Sequence, residues 1–112
     1  MRTPVTTEVK IEFKARVRAW AVRIRVEPKQ VRVQAMRRKW ASCSKRGWCT
    51  FAHDLLHESR PFQDHVIVHE LLHLRYRNHG KLYRAALRSY LSPAKAMHLD
   101  VVGDRCLVRR ES

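Results

Sequence analysis

Val66-Ile67-Val68-His69-Glu70-Leu71-Leu72-His73-Leu74, with a further histidine at His79, is the stretch around which the rest of this chain has to be arranged. Its apolar residues predict a buried helix, and a buried helix is a costly place for unpartnered imidazole and carboxylate groups. Residues four apart lie one turn apart on the same helical face, so His69 and His73 can present ring nitrogens to a single point. Glu70 stands one residue round, beside that point. Three imidazoles and one carboxylate within eleven residues predict a zinc site with a built-in base. Three protein ligands leave a fourth tetrahedral position for water, which is the mark of a catalytic rather than a structural site. A carboxylate next to such a site is placed to accept a proton from water as it attacks a polarised carbonyl, and the reaction implied is peptide hydrolysis.

The third imidazole cannot come from the same straight helix. His79 follows His73 by six residues, which at ~100° per residue turns it about 240° away. The helix therefore has to end or turn near Asn78-His79-Gly80, where Asn and Gly readily accept positive φ. The five-residue gap matches the spacing H-E-x-x-H-x-x-G-x-x-H, but Tyr76 stands where that pattern requires its turning glycine, so the chain is not assigned to the metzincins.

At 112 residues with 45% apolar content, the chain predicts a single folded domain spanning 1–112. No apolar run approaches the ~20 residues of a membrane span, and Met1-Arg2-Thr3-Pro4 leads into charged sequence without a secretory apolar segment. A cytoplasmic protein is expected, with no membrane partner. Cys43, Cys49 and Cys106 form no C-x-x-C pair and are odd in number, which predicts reduced thiols rather than a disulfide framework. Twenty-four Lys and Arg against ten Asp and Glu give a net charge of +14. Acidic partners are favoured and nucleic acid is the obvious candidate, although no DNA-binding motif is present. Arg77, Lys81, Arg84 and Arg88 would line one helical face after the metal motif, as candidate phosphate contacts or as the solvated side of an amphipathic helix.

Along the rest of the chain, Val9, Phe13, Val17, Trp20, Ala21 and Ile24 recur at helical intervals, which predicts a helix from Thr6 to Val26 ended by Glu27-Pro28. Alternation at Val9-Ile11-Phe13-Ala15-Val17 would suit a strand, but the segment is too long for one. Val31, Val33 and Ala35 predict a half-buried strand. A polar connection from Arg37 to Gly47 leads to an extended run, Trp48 to Leu56, expected to pair antiparallel with it. Asp64 suits the N-cap of the metal helix, which should run to about Asn78. A further helix is predicted over Lys81 to Leu91, then a short helical piece from Ser92-Pro93 and an extended segment over Val101 to Val108. The fold class is α+β: a small antiparallel sheet packed on an N-terminal helix and on the metal helix, a minimal zincin-like domain.

Trp40-Ala41-Ser42-Cys43-Ser44, Asp64, Val66-Ile67, His69 to His73 and Asn78-His79-Gly80 occur in an order and spacing that resemble the YgjP-like family of small cytoplasmic zinc metallopeptidases. That family is similar, more distantly, to the SprT and WLM groups and to minimal gluzincin-like peptidases. The resemblance covers roughly Gln30 to Leu87, within a motif core of about 30–91. It implies one Zn2+ ion held by His69, His73 and His79, with Glu70 as catalytic base. Ala41, Gly80 and Tyr83-Arg84 depart from the residues usual there, which places the difference in the cleft wall.

An extended strand beside a zinc cleft can align a substrate backbone by strand addition, and Trp48 to Leu56 is the candidate edge. Trp48, Thr50 and Tyr83 are candidate cleft residues; Tyr76, Tyr83 and Tyr90 are phenols able to stabilise an oxyanion. Cys43 is a conceivable thiolate ligand in a latent form, and His53, His57, His65 and His98 are surface, core or ligand-orienting histidines. Two other function classes compete with the peptidase: a nucleic-acid-associated protease of the SprT kind, and a latent or non-catalytic zinc-binding interaction module.

Overall fold

A computed structural model describes residues 5–76 and 80–91. The elements are α1 (Thr7–Ile24), β1 (Gln30–Gln34), β2 (Ala41–Cys43), β3 (Trp48–Ala52), a 3-10 segment (His53–His57), α2 (Arg60–Leu72) and α3 (Lys81–Tyr90). The predicted N-terminal helix is present. The Thr6 hydroxyl caps it by accepting from the Val9 amide at 3.2 Å, and Glu8 places a negative charge in the first turn, where the helix dipole favours it. Phe13, Val17, Ala21 and Ile24 form its buried stripe, while Ile11, which the strand reading would bury, is 62% exposed. The helix stops before Glu27-Pro28 because Arg25 turns left-handed (φ 65°) and donates its amide to the Ala21 and Val22 carbonyls.

The sheet is mixed rather than antiparallel. Its strand order is β1-β3-β2; β3 pairs parallel with β1 (Val31 opposite Cys49) and antiparallel with β2 (Ala41 opposite Phe51). The expected antiparallel pairing of the two longer strands fails because the polar connection conceals β2. The chain crosses to the far edge, reverses through Ser44-Lys45-Arg46-Gly47 and returns down the middle, so the first and third strands run the same way. Gly47 makes that reversal possible: it adopts φ +89°, and a Cβ there would meet the Lys29 amide nitrogen at 3.2 Å. The second extended run also ends earlier than predicted, at Ala52, and coils into the 3-10 segment. The same hairpin overturns the expectation of reduced thiols, since it brings Cys43 and Cys49 into register, where they are joined as a disulfide. Cys106 lies outside the described residues.

Ser59, not Asp64, caps α2: its hydroxyl accepts from the Phe62 amide at 3.4 Å, with Pro61 in the first turn. Asp64 lies further along the helix and clasps it to α1. Its Oδ1 accepts from the Arg16 guanidinium at 2.8 Å and from the Trp20 indole at 3.3 Å, while Arg16 also donates to Gln63 at 2.8 Å. These charge-assisted bonds are mostly shielded from water and so are worth more than an exposed ion pair, about 1.5–3 kcal/mol for a bond to a charged group. The helix ends at Leu72, short of the predicted Asn78; beyond it the amides of His73, Leu74 and Arg75 bond three residues back, tightening the chain into turns.

Helix α3 matches its predicted span and lays Tyr83, Leu87 and Leu91 against the core formed by α1, the inner sheet face and α2. The expected helical piece at Ser92-Pro93 and the extended segment at Val101 to Val108 lie outside the described residues. No described helix is long and apolar enough to cross a membrane.

Candidate active site

Helix α2 is buried all round, from His65 to Leu72, because it runs between the sheet, α1 and α3. His65, His69 and Glu70 are 0% exposed, and His73 lies partly exposed at the helix end. The predicted i, i+4 arrangement is realised: the Nε2 atoms of His69 and His73 approach to 3.3 Å, with ring centroids 5.0 Å apart. Two nitrogens bound at ~2.0–2.1 Å to one tetrahedral ion would be separated by about 3.3 Å. The separation of these two nitrogens therefore matches that of two ligands on one such ion. Glu70 is on the same turn of the helix, enclosed with them.

Tyr83 holds the pair from behind. It is 1% exposed and packs in the core. Its ring lies 5.6 Å from that of His69 and 5.2 Å from that of His73, and its hydroxyl donates to the His69 carbonyl at 2.9 Å. That carbonyl is among the last four of the helix, which lack an amide partner within it, so the phenol serves as a side-chain cap. A buried tyrosine must find such a partner, but nothing in the sequence says which. Tyr83→Phe should keep the ring packing and lose only this bond, lowering the thermal midpoint by the equivalent of about 1 kcal/mol. An unchanged midpoint would mean that the bond contributes nothing.

The other expected site residues are dispersed. Trp48 and Thr50 alternate with the inward Cys49 and Phe51, so they occupy the sheet face turned away from the core and from α2. Trp48 to Leu56 is not an edge, since β3 is the central strand; the short strand β2, which the sequence reading missed, is the edge that packs beside α2. Lys81, Arg84 and Arg88 are exposed along α3. Arg77 and His79 lie outside the described residues, as does His98.

A second donor group was not foreseen. His53, Asp54 and His57 have ligand atoms within 4.8 Å of one another, a set chemically able to hold a divalent cation. It precedes the first turn of α2. Gln63 of α2 donates to the Leu56 and Glu58 carbonyls and so ties the end of this segment to the helix.

A model of the YgjP-like metallopeptidase domain matches residues 1–100. The chain belongs to the YgjP-like metallopeptidases. It is accordingly a hydrolase acting on peptide or protein substrates. No curated protein matches this YgjP-like chain. Among solved structures it is similar to the metallopeptidase zymogen jannalysin of Methanocaldococcus jannaschii, with 23% identity and a TM-score of 0.69 over 77% of this chain and 88% of that one. It is also similar to the metallopeptidase zymogen abylysin of Pyrococcus abyssi, with 16% identity and a TM-score of 0.68 over 77% of this chain and 86% of that one. At such identities the likeness establishes a shared α+β fold.

Proposed function

We propose that this YgjP-like domain is a zinc-dependent metallopeptidase in which His69, His73 and His79 hold one zinc ion and Glu70 is the general base. The 3.3 Å approach of the His69 and His73 Nε2 atoms carries this reading, since it equals the separation one tetrahedral ion requires. When bound, zinc supplies a Lewis acid that makes water more acidic and polarises a carbonyl. Glu70 accepts the proton released by the attacking water and returns it to the leaving amine, the one carboxylate moving it in both directions. Burial strengthens each of these electrostatic contacts by excluding bulk water. Tyr83 fixes the end of α2 and with it the direction of both rings. Strand β2, an edge beside α2, is the segment to which an extended substrate would add its backbone through main-chain hydrogen bonds.

Elemental analysis tests the metal centre independently of activity. One zinc per chain is expected in the purified protein, falling to background in His69→Ala and His73→Ala and strongly reduced in His79→Ala, with helical content retained after zinc is restored to the parent. Full zinc content in His69→Ala/His73→Ala would remove the proposal.

A latent form is favoured as a second reading because the jannalysin and abylysin structures are of zymogens. The segment from Val101 to Ser112 is the candidate cover. A chain ending at residue 100 should then cleave an unstructured protein substrate faster than the full chain, and equal rates would end the idea.

A further inference from the structure

Beyond the end of α2, the left-handed turn after α1, the β2–β3 hairpin tip and the turn carrying Leu74 and Arg75, which directly follow His73, meet around an open cleft of about 370 Å³. Arg25, Lys29, Lys45, Arg46 and Arg75 line it, against Glu27 alone. Among the described residues no ion pair engages any of these five cations. They come from three segments remote in sequence, and the fold holds them together. The Gly47 carbonyl accepts from the Lys29 amide at 2.8 Å, a Cβ at Gly47 would stand only 3.2 Å from that nitrogen, and Arg75 donates to the Ile24 carbonyl at 3.3 Å. The disulfide between Cys43 and Cys49 closes the hairpin that carries Lys45 and Arg46. Five cations gathered around one concavity, in a chain of net charge +14, make a positive potential that favours an anion there.

A second observation narrows the anion. Both walls of the cleft lead into one cross-strand pair, since Lys29 is followed by Gln30 and Gly47 by Trp48, and these two are register partners. Trp48 is 44% exposed on the outer sheet face, with the Arg32 guanidinium 4.8 Å from its ring. A basic cleft whose walls lead, one residue on, to a cation-backed indole is a combination suited to single-stranded nucleic acid: phosphates in the groove and a base on the ring, with little demand on sequence. We propose that this cleft and Trp48 form a binding site for single-stranded nucleic acid, built from residues other than the histidine pair and Glu70. A concave cleft with one stacking ring suits a flexible strand better than the flat face of a bilayer or the stiff backbone of a duplex.

The test uses the full chain and a fluorescein-labelled 20-mer of thymidylate, followed by anisotropy; it requires neither metal nor turnover, so its failure leaves the peptidase reading untouched. With about five phosphate contacts, affinity should fall about 100-fold between 50 and 200 mM salt. Arg25→Gly/Lys45→Ala/Arg46→Ala should bind more than about 10-fold more weakly at low salt, with a fall of only about 7-fold over the same range. Glycine suits the left-handed position of Arg25, and should the triple variant melt early, Lys45→Ala/Arg46→Ala at the exposed tip makes the same comparison. Removing equal charge from α1 with Lys10→Ala/Lys14→Ala/Arg18→Ala should change affinity far less, and Trp48→Ala should cost about 10-fold, partly recovered by Trp48→Phe. The proposal is overturned by no binding at 50 mM salt or by equal weakening in the cleft and α1 triples. Loss confined to a Lys81→Ala/Arg84→Ala/Arg88→Ala variant, or tighter cleft-dependent binding to a duplex or to phosphatidylglycerol vesicles, would overturn it too.

Discussion

Glu70→Gln is expected to lower peptide hydrolysis by about 10²–10⁴-fold, the contribution typical of a positioned acid–base group, while zinc content stays at that of the parent. The amide nearly matches the carboxylate in shape, so α2 and the two imidazoles should keep their places. It cannot accept a proton at neutral pH. Because Glu70 is 0% exposed, exchanging its charge for a neutral group also removes a desolvation cost, and the thermal midpoint should not fall. This combination separates the peptidase from the competing interaction module, in which the glutamate would have no chemical task. An unchanged rate, with metal and fold retained, would require another base and would sink the assignment of Glu70. Comparable losses of metal and of activity would instead make Glu70 a structural neighbour of the centre.

The parts of this fold that were legible in the sequence are those governed by short-range periodicity. The stripe Phe13, Val17, Ala21 and Ile24 marked α1, and the spacing of His69 and His73 placed two imidazoles on one face of α2. Legibility failed where a short segment or a distant partner decided the outcome. Strand β2 has only three residues, too few for alternation to register, yet its insertion at the sheet edge converts the β1–β3 pairing from antiparallel to parallel. Gly47 ahead of an extended run was the available hairpin signal. Asp64 looked like a cap because it is a capping residue type near a helix start; its actual partners, Arg16 and Trp20, are more than forty residues away. The Cys43–Cys49 pair was hidden for the same reason, since their meeting depends on the unseen hairpin. In the sequence Tyr83 stands out as a phenol and as a candidate cleft residue. Its role under the two histidines follows from packing α3 against the end of α2, which no local pattern encodes.

Phe13→Ala is the core substitution expected to weaken the domain most. Phe13 is 2% exposed and meets Phe51, 0% exposed, edge to face with centroids 5.3 Å apart at 73°. Truncating a buried phenylalanine costs about 3–5 kcal/mol through lost burial and the cavity left behind. Folded domains have only about 5–15 kcal/mol in total, and a small core lies toward the lower end. The metal-free variant should therefore lose most of its urea resistance, whereas Ile11→Ala, two residues earlier but 62% exposed, should change stability by less than about 0.5 kcal/mol. A cycle with Phe51→Leu should recover a coupling of about 0.5–1.5 kcal/mol from the ring pair. The consequence for the active site is indirect, because α1 carries both Phe13 and the Arg16 clasp onto α2, so loosening α1 frees the helix that bears His69 and His73. A ligand that binds only the folded chain shifts the equilibrium back by mass action. Added zinc should accordingly raise the urea midpoint of Phe13→Ala, and should fail to do so in Phe13→Ala/His69→Ala. Equal rescue of both variants would place the stabilising ion elsewhere in the molecule, and a loss below about 1 kcal/mol in Phe13→Ala would contradict the packing of α1 on β3.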